Sequence, residues 1–487
     1  RWFVNSDLTV QYGLRYDSVL TPQAPATNVN FVKEYGFSNA SKFDFEVLQP
    51  RFSFNMDVSE SLFGNNDMVV AATLRGGRGL FMGRIPRVWY GNAYSRTGAT
   101  GDYRGWFSFD ETASNFPGYM PVGSDPTAFW LTPPSKYVVP DGSNPYGVAQ
   151  STDANFEAPS SWRTALALDV ITQGGWDVTL EYNLDQVRQA VFFRDLGHYK
   201  KTTLADGRGV YGGRGDYNLT NTEEGATEAW TISAFKEFGD IKWYAGYTNM
   251  RATDIFELTS AQSESSYGRS VRADGENITA QRSNFMVEHK LISSLDYTTQ
   301  LIGENDTRFS LVYVRKSGEP YSVTFDGYDD AFANSRSDGG YDAAYIPSGA
   351  NDPNVVFASD AVASAVMAHV NSTGLSQYKG GIAPRNAFNS PWNSSLDLRI
   401  TQDIDIGVGK VILYLDVTNI LNLLNEDKGI IREYSNRSRQ IILDEDNPYD
   451  SQGRYNIVGV DPDDGLYVYN KDGQSSYQWN LGFKYEF

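Results

Sequence analysis

Reactive side chains are plentiful in this chain of 487 residues, but their spacing is poor for catalysis or metal binding. Cysteine is absent, which removes disulfide frameworks and thiolate-ligated zinc or iron–sulfur sites. The three histidines, His198, His289 and His369, are far apart and form no ligand-spaced pair. Neither GxSxG nor HExxH occurs. No catalytic residue is therefore assigned, an enzyme is not expected, and neither a metal nor a cofactor is expected. Asp461, Asp463, Gly465 and Asp472 approach the spacing of a calcium loop. The match breaks where Leu466 stands in place of the required glycine and where Asp472 replaces the bidentate glutamate. Asp464-Gly465 reads equally well as a tight-turn signal.

Binding chemistry is better represented. Trp89, Tyr90, Tyr94, Trp106, Phe107, Tyr119, Phe129 and Trp130 crowd one long segment. Exposed aromatics there could stack on sugars or grip peptides, since rigid rings give contact area at low entropic cost. Trp89, Tyr90, Trp106 and Trp130 are the candidate ligand-binding residues. The competing reading is a small core that holds the segment in shape. The balance of 41 basic against 60 acidic side chains gives a net charge of −19. That opposes a nucleic-acid binder, which would show a basic face, and mildly favours a cationic or neutral ligand.

The elements that must position these residues are strands. No run of 18 apolar residues occurs, so a helical membrane protein is excluded. Period-2 alternation is strong instead. In residues 477–487, Tyr477, Trp479, Leu481, Phe483, Tyr485 and Phe487 share one face, against Gln478, Asn480, Gly482, Lys484 and Glu486. Leu8, Val10, Tyr12, Leu14 and Tyr16 alternate with Thr9, Gln11, Gly13, Arg15 and Asp17. Residues 176–185 and 51–58 repeat the pattern. Strands of about ten residues, apolar on one side, charged on the other and aromatic at the ends, are those of a transmembrane β-barrel. Strands of soluble sheets are nearer 5–6 residues.

About twelve such strands are expected, joined alternately by short turns and by long loops near 18–46, 79–160, 186–228, 251–286, 317–394 and 419–476. Short periplasmic turns and long extracellular loops give that alternation. The predicted fold is all-β, an antiparallel transmembrane barrel whose last strand runs towards the periplasm. Inside the loops, 359–371 reads as a short helix with Ser359 or Asp360 near its N-cap, and 321–325 and 466–469 as strands of loop hairpins.

Five stretches carry a family resemblance: DLTVQYGLRYD (7–17), LQPRFSFNMDV (48–58), LRGGRGLFMGRIPRVWYGNAYSRTG (74–98), RNAFNSPWNSSLDLRITQDI (385–404) and LYLDVTNILNLLN (413–425). With the closing WNLGFKYEF (479–487), they resemble the TonB-dependent outer-membrane receptors, and more narrowly the Oar-like subgroup with its carboxypeptidase-regulatory-like N-terminal domain. The family barrel has 22 strands, so the resemblance implies that this chain is the C-terminal part, strands 11 to 22. Odd strands of the family run upward, as the turn lengths require independently. A signal peptide, plug, TonB-contact segment and N-terminal domain are not found, and this part alone is expected neither to transport actively nor to close a stable barrel.

The resemblance implies a receptor and transporter in the outer membrane of a Gram-negative bacterium. Its expected partners are outer-membrane lipid, the barrel-assembly machinery, the inner-membrane TonB energy complex through the missing plug segment, and an unidentified large extracellular ligand: a peptide, protein or oligosaccharide. No nucleic acid is expected. Trp479, Phe483, Tyr485 and Phe487 resemble the barrel-assembly signal. Arg75 and Arg78, in the Gly-rich stretch, are expected to face the lumen and contact a plug, or else to balance lumen charge. A soluble, extracellular, β-rich carbohydrate-active enzyme and a passive porin-like channel are the alternatives.

Overall fold

The computed structural model describes residues 1–487 except 65–66, 99–148, 213–214, 276–277, 327–331, 333–340, 464 and 471–472. Among the described residues, twelve long strands follow one another in chain order as a single antiparallel up-and-down sheet. They are Leu8–Val19, Phe45–Asp57, Val69–Met82, Ser160–Thr172, Trp176–Asp195, Ala226–Phe238, Ile241–Asp254, His289–Ile302, Asn305–Lys316, Asn393–Asp405, Lys410–Thr418 and Gln478–Glu486. The fold is the all-β antiparallel barrel wall that the alternation predicts. No described helix is long and apolar enough to cross a membrane.

Connections alternate in length because one end of the wall carries tight turns. At 173–175, 239–240, 303–304 and 406–409 the chain reverses within two to four residues. Gly175, Gly239, Gly303 and Gly407 sit there at φ of 73°, 61°, 59° and 78°. Only glycine takes that left-handed conformation without a Cβ penalty. The other end carries every long connection with described structure.

Residues paired across strands share a face, so the register sorts the wall into two surfaces. One row runs Trp176, Lys236, Trp243, Leu295, Leu311, Leu398, Val417, Trp479. Another runs Leu8, Met56, Leu74, Leu168, Leu180, Ile232, Tyr247, Leu291. The opposite face has rows such as Thr9, Asn55, Arg75, Ala167, Glu181, Thr231, Thr248, Lys290. The apolar face is bare: Leu180 is 46%, Ile232 52%, Leu481 73% and Phe483 72% exposed.

Near the short-turn end, Trp176 packs edge-on against Phe238 and Trp243, with Lys236 over its ring. Six residues up the same strand, about 20 Å at 3.3 Å per residue, Tyr182 lies 4.4 Å from Trp230. Val178 and Leu180, paired with Ala234 and Ile232, lie between them.

The long loops fold into cores of their own. The larger is built on a five-stranded sheet in the order Val355–Phe357, Tyr455–Val460, Arg437–Leu443, Pro320–Asp326, Phe388–Asn389. The helix Asp360–Ser372 packs its Val366 and Val370 into the same core as Phe325, Phe332, Ile441 and Tyr455. Ser359 caps it, its Oγ accepting from the Val362 N–H, as the sequence predicts. Both expected loop strands form, and the second finds an antiparallel partner in its own loop while the first does not. Pro320–Asp326 pairs in parallel with Arg437–Leu443, from the other loop, and Leu466–Tyr469 pairs with Ile431–Tyr434. A local reading finds the extended segments but not partners more than a hundred residues away.

Candidate functional site

Two cavities adjoin along the polar face of the wall, and a third adjoins at the loop end. The largest, about 830 Å³, is lined on that face by Gln11, Arg51, Arg75, Arg163, Glu181, Asn183 and Asp185. Its charges are paired within the wall. Arg75 Nε is 2.7 Å from Asp169 Oδ2, with Glu181 at 3.8 Å, and Arg163 Nε is 2.9 Å from Asp185 Oδ2. Phe81, Arg163, Asp185 and Thr227 also line a second cavity of about 460 Å³, nearer the loops, with Arg84, Trp89, Gln189 and Glu257. Glu257 in turn lines a third, of about 300 Å³, with Asn284, Met286, Val287, Glu319, Pro320, Tyr434 and Asn436. Shared lining residues therefore set these cavities side by side from the loop end down the polar face.

Glu257, which borders two of these cavities, is a perturbed carboxyl. Burial pushes it above its ordinary value, with Arg385 nearby and the Asn436 amide opposing. Arg385, itself buried, is committed elsewhere: its guanidinium donates to the carbonyls of Ile255 and Asp254 and pairs with Asp254 Oδ1 at 2.6 Å.

Glycines shape the wall above Arg75. A Cβ at Gly77 would lie 2.6 Å from the Phe52 carbonyl oxygen, and one at Gly76 would lie 2.9 Å from the Ala165 oxygen. The close approach that the Gly-rich stretch permits is between wall strands.

Sequence-selected residues separate into several places. Arg75 lies on the polar face, and its partners are carboxylates of the next two strands. Arg78 is a correction. It shares a row with Tyr12, Phe52 and Thr164 on the apolar face, its guanidinium over the Trp162 ring and donating to Gln186 Oε1. Three residues is an odd step in a period-2 strand, so Arg75 and Arg78 must point oppositely.

Tyr90 stacks on Phe43 at 4.2 Å inside a loop core. Trp89 packs against that core, donates from Nε1 to the Ser260 carbonyl and edges the middle cavity. Trp106 and Trp130 lie outside the described residues. Trp479, Phe483 and Tyr485 stand on the apolar face of the last strand, with Phe487 fully exposed beyond them. In the tested calcium spacing, Asp461 Oδ1 accepts the Asp463 N–H in a turn, while Asp472 is outside the described residues. His289 is sandwiched between Tyr247 and Trp392.

Glu257, Asp185 and Arg163 were missed. They carry no motif, and only the wall and its loops together make them neighbours.

No family model matches the chain, and no curated protein does. Solved structures do. It is similar to the ferric preacinetobactin receptor BauA from Acinetobacter baumannii, at 11% identity and a TM-score of 0.41, over 99% of this chain and 40% of that one. It is similar to the outer-membrane transporter YddB from Escherichia coli, at 9% identity and 0.41, over 91% and 42%. It is also similar to the siderophore receptor PirA from Acinetobacter baumannii, at 12% identity and 0.39, over 99% and 44%. The chain thus spans less than half the length of these structures.

Proposed function

We propose that this chain is part of a TonB-dependent outer-membrane receptor that binds a large extracellular ligand at its loops and admits it through the barrel lumen when the inner-membrane energy complex acts. The observation that carries the membrane half of this reading is the bare apolar face. It runs across all twelve wall strands, where Leu180, Ile232, Leu413 and Phe483 are each more than two-fifths exposed. Monomeric soluble proteins rarely leave apolar patches beyond a few hundred Å² uncovered. Lipid covers such a face, and a closed antiparallel sheet satisfies every backbone group there. That weighs against the soluble carbohydrate-active enzyme.

The binding half is supported by the adjoining cavities between Glu257 and Arg75 and by the folded loop cores. Compact ligands need little loop surface, so folded loops of this extent favour a peptide, protein or oligosaccharide. The aromatic C-terminal strand fits a barrel-assembly signal, and the resemblance in the wall strands points to the Oar-like subgroup. The test is energy-dependent uptake by the native full-length protein in an outer-membrane background. Uptake abolished by a protonophore and by loss of TonB supports the receptor; uptake indifferent to both identifies a passive channel.

A further inference from the structure

The third cavity has a chemistry of its own. Its walls come from four separate segments: Glu257 and Thr259; Asn284, Phe285, Met286 and Val287; Glu319 and Pro320; Tyr434 and Asn436. Tyr434 is held face-on by Tyr321 at 4.3 Å, so one wall is a fixed aromatic ring beside aliphatic groups. Two of the lining side chains, Glu257 and Glu319, are acidic. Two nearby cations have salt-bridge partners of their own, Arg385 with Asp254 at 2.6 Å and Arg282 with Glu288 at 3.0 Å, while the field of Arg385 also reaches Glu257. Among the described residues, Glu257 and Glu319 line the cavity without a salt bridge. Glu433, only 6% exposed, lies within electrostatic reach of Glu319. Its field is felt with that of Glu319, and Lys316 is the cation acting on it. An acidic end, an aromatic wall and an aliphatic lining in about 300 Å³ fit one long side chain that ends in a positive charge.

We propose that this cavity is a subsite for a guanidinium or alkylammonium group of the ligand, with Glu257 and Glu319 as charge partners and Tyr434 as the aromatic wall. The proposal rests on the receptor reading and narrows its ligand class to cationic peptides or proteins. Glu257 also borders the middle cavity, so a side chain seated here holds its backbone beside that cavity.

The test is calorimetric titration of the native full-length protein in detergent with a short peptide carrying two arginines, and with its citrulline isostere. The arginine peptide is expected to bind at least tenfold more tightly than the citrulline peptide. Glu257→Gln and Glu319→Gln should each weaken the arginine peptide at least fivefold and leave the citrulline peptide unchanged. Glu304→Gln, at the short-turn end, should change neither. Glu319 is exposed, so Glu319→Gln decides the matter even if Glu257→Gln fails to assemble. Equal binding of the two peptides overturns the proposal. So does calcium chloride titrating the same two carboxylates in place of the peptide. A protein that assembles in the membrane but does not discriminate between the peptides sinks this subsite alone. A protein that remains soluble without detergent sinks the receptor reading instead.

Discussion

Arg75 Nε stands 2.7 Å from Asp169 Oδ2, and Arg75 Nη2 stands 3.8 Å from Glu181, so the charge of the Gly-rich stretch is met by its neighbouring strands. Both partners are partly exposed on a wet face. Pairs of that kind are worth about 0–1 kcal/mol. A double-mutant cycle with Arg75→Gln and Asp169→Asn, read from the thermal midpoint of the folded band on electrophoresis, should give a coupling within that range. A coupling several times larger would mean that the face is dry.

Leu180 and Thr179 are neighbours in sequence on opposite faces of one strand. Leu180→Arg puts a charge on the apolar face at mid-height and should cost about 2–4 kcal/mol of assembly free energy in lipid. Thr179→Arg should be tolerated. The comparison is made by folding both variants into vesicles and measuring the folded fraction. Equal yields would rule out lipid on the apolar face.

Gly77 and Gly13 separate close packing from mere flexibility. Gly77→Ala drives a methyl to 2.6 Å from the Phe52 carbonyl oxygen and should cost about 1–3 kcal/mol, as overpacking does. At Gly13 nothing lies within 4 Å, so Gly13→Ala should leave the midpoint unchanged. A tolerated Gly77→Ala would show that the two strands stand further apart.

Asp352 ties the loop core together. Burial raises its carboxyl, but the Ser348 and Asn354 N–H groups and the Ser348 and Tyr345 hydroxyls outweigh this and hold it below the usual carboxylate range. A depressed value means that the unfolded chain binds the proton more readily. Its stabilisation is therefore complete above the ordinary carboxylate value and is lost as pH falls through the lower folded value. Glu257, raised by burial, acts in the opposite sense: its penalty sets in as pH rises from the ordinary value through the raised one. Asp352→Asn should cost about 1–3 kcal/mol and flatten the acid limb. Hydrogen exchange of residues 345–357 against pH reads both effects, and an unchanged acid limb would refute this role.

Phe325 is completely buried in the same core. Phe325→Ala should cost that core about 3–5 kcal/mol while the wall strands stay assembled, because their pairing does not use it. Limited proteolysis should cut loops 317–392 and 419–477 early while the folded band persists. Loss of the folded band would show that wall and loops unfold as one.

The alternation of Leu8–Val19 and Gln478–Glu486 was legible in the sequence because a strand sorts its side chains every second residue, a rule that needs no partner. The Ser359 cap was legible for the same reason: it acts within a few residues of itself. The opposed faces of Arg75 and Arg78 were equally written in their odd spacing, though both were expected in the lumen. What the tertiary structure alone decided is long-range. Pro320–Asp326 pairs with Arg437–Leu443 across more than a hundred residues, and Glu257, Glu319 and Tyr434 meet from three separate loops. Loop segments lack the periodicity that fixes register, so their pairing is settled by which apolar side chains bury one another once the wall has brought their ends together.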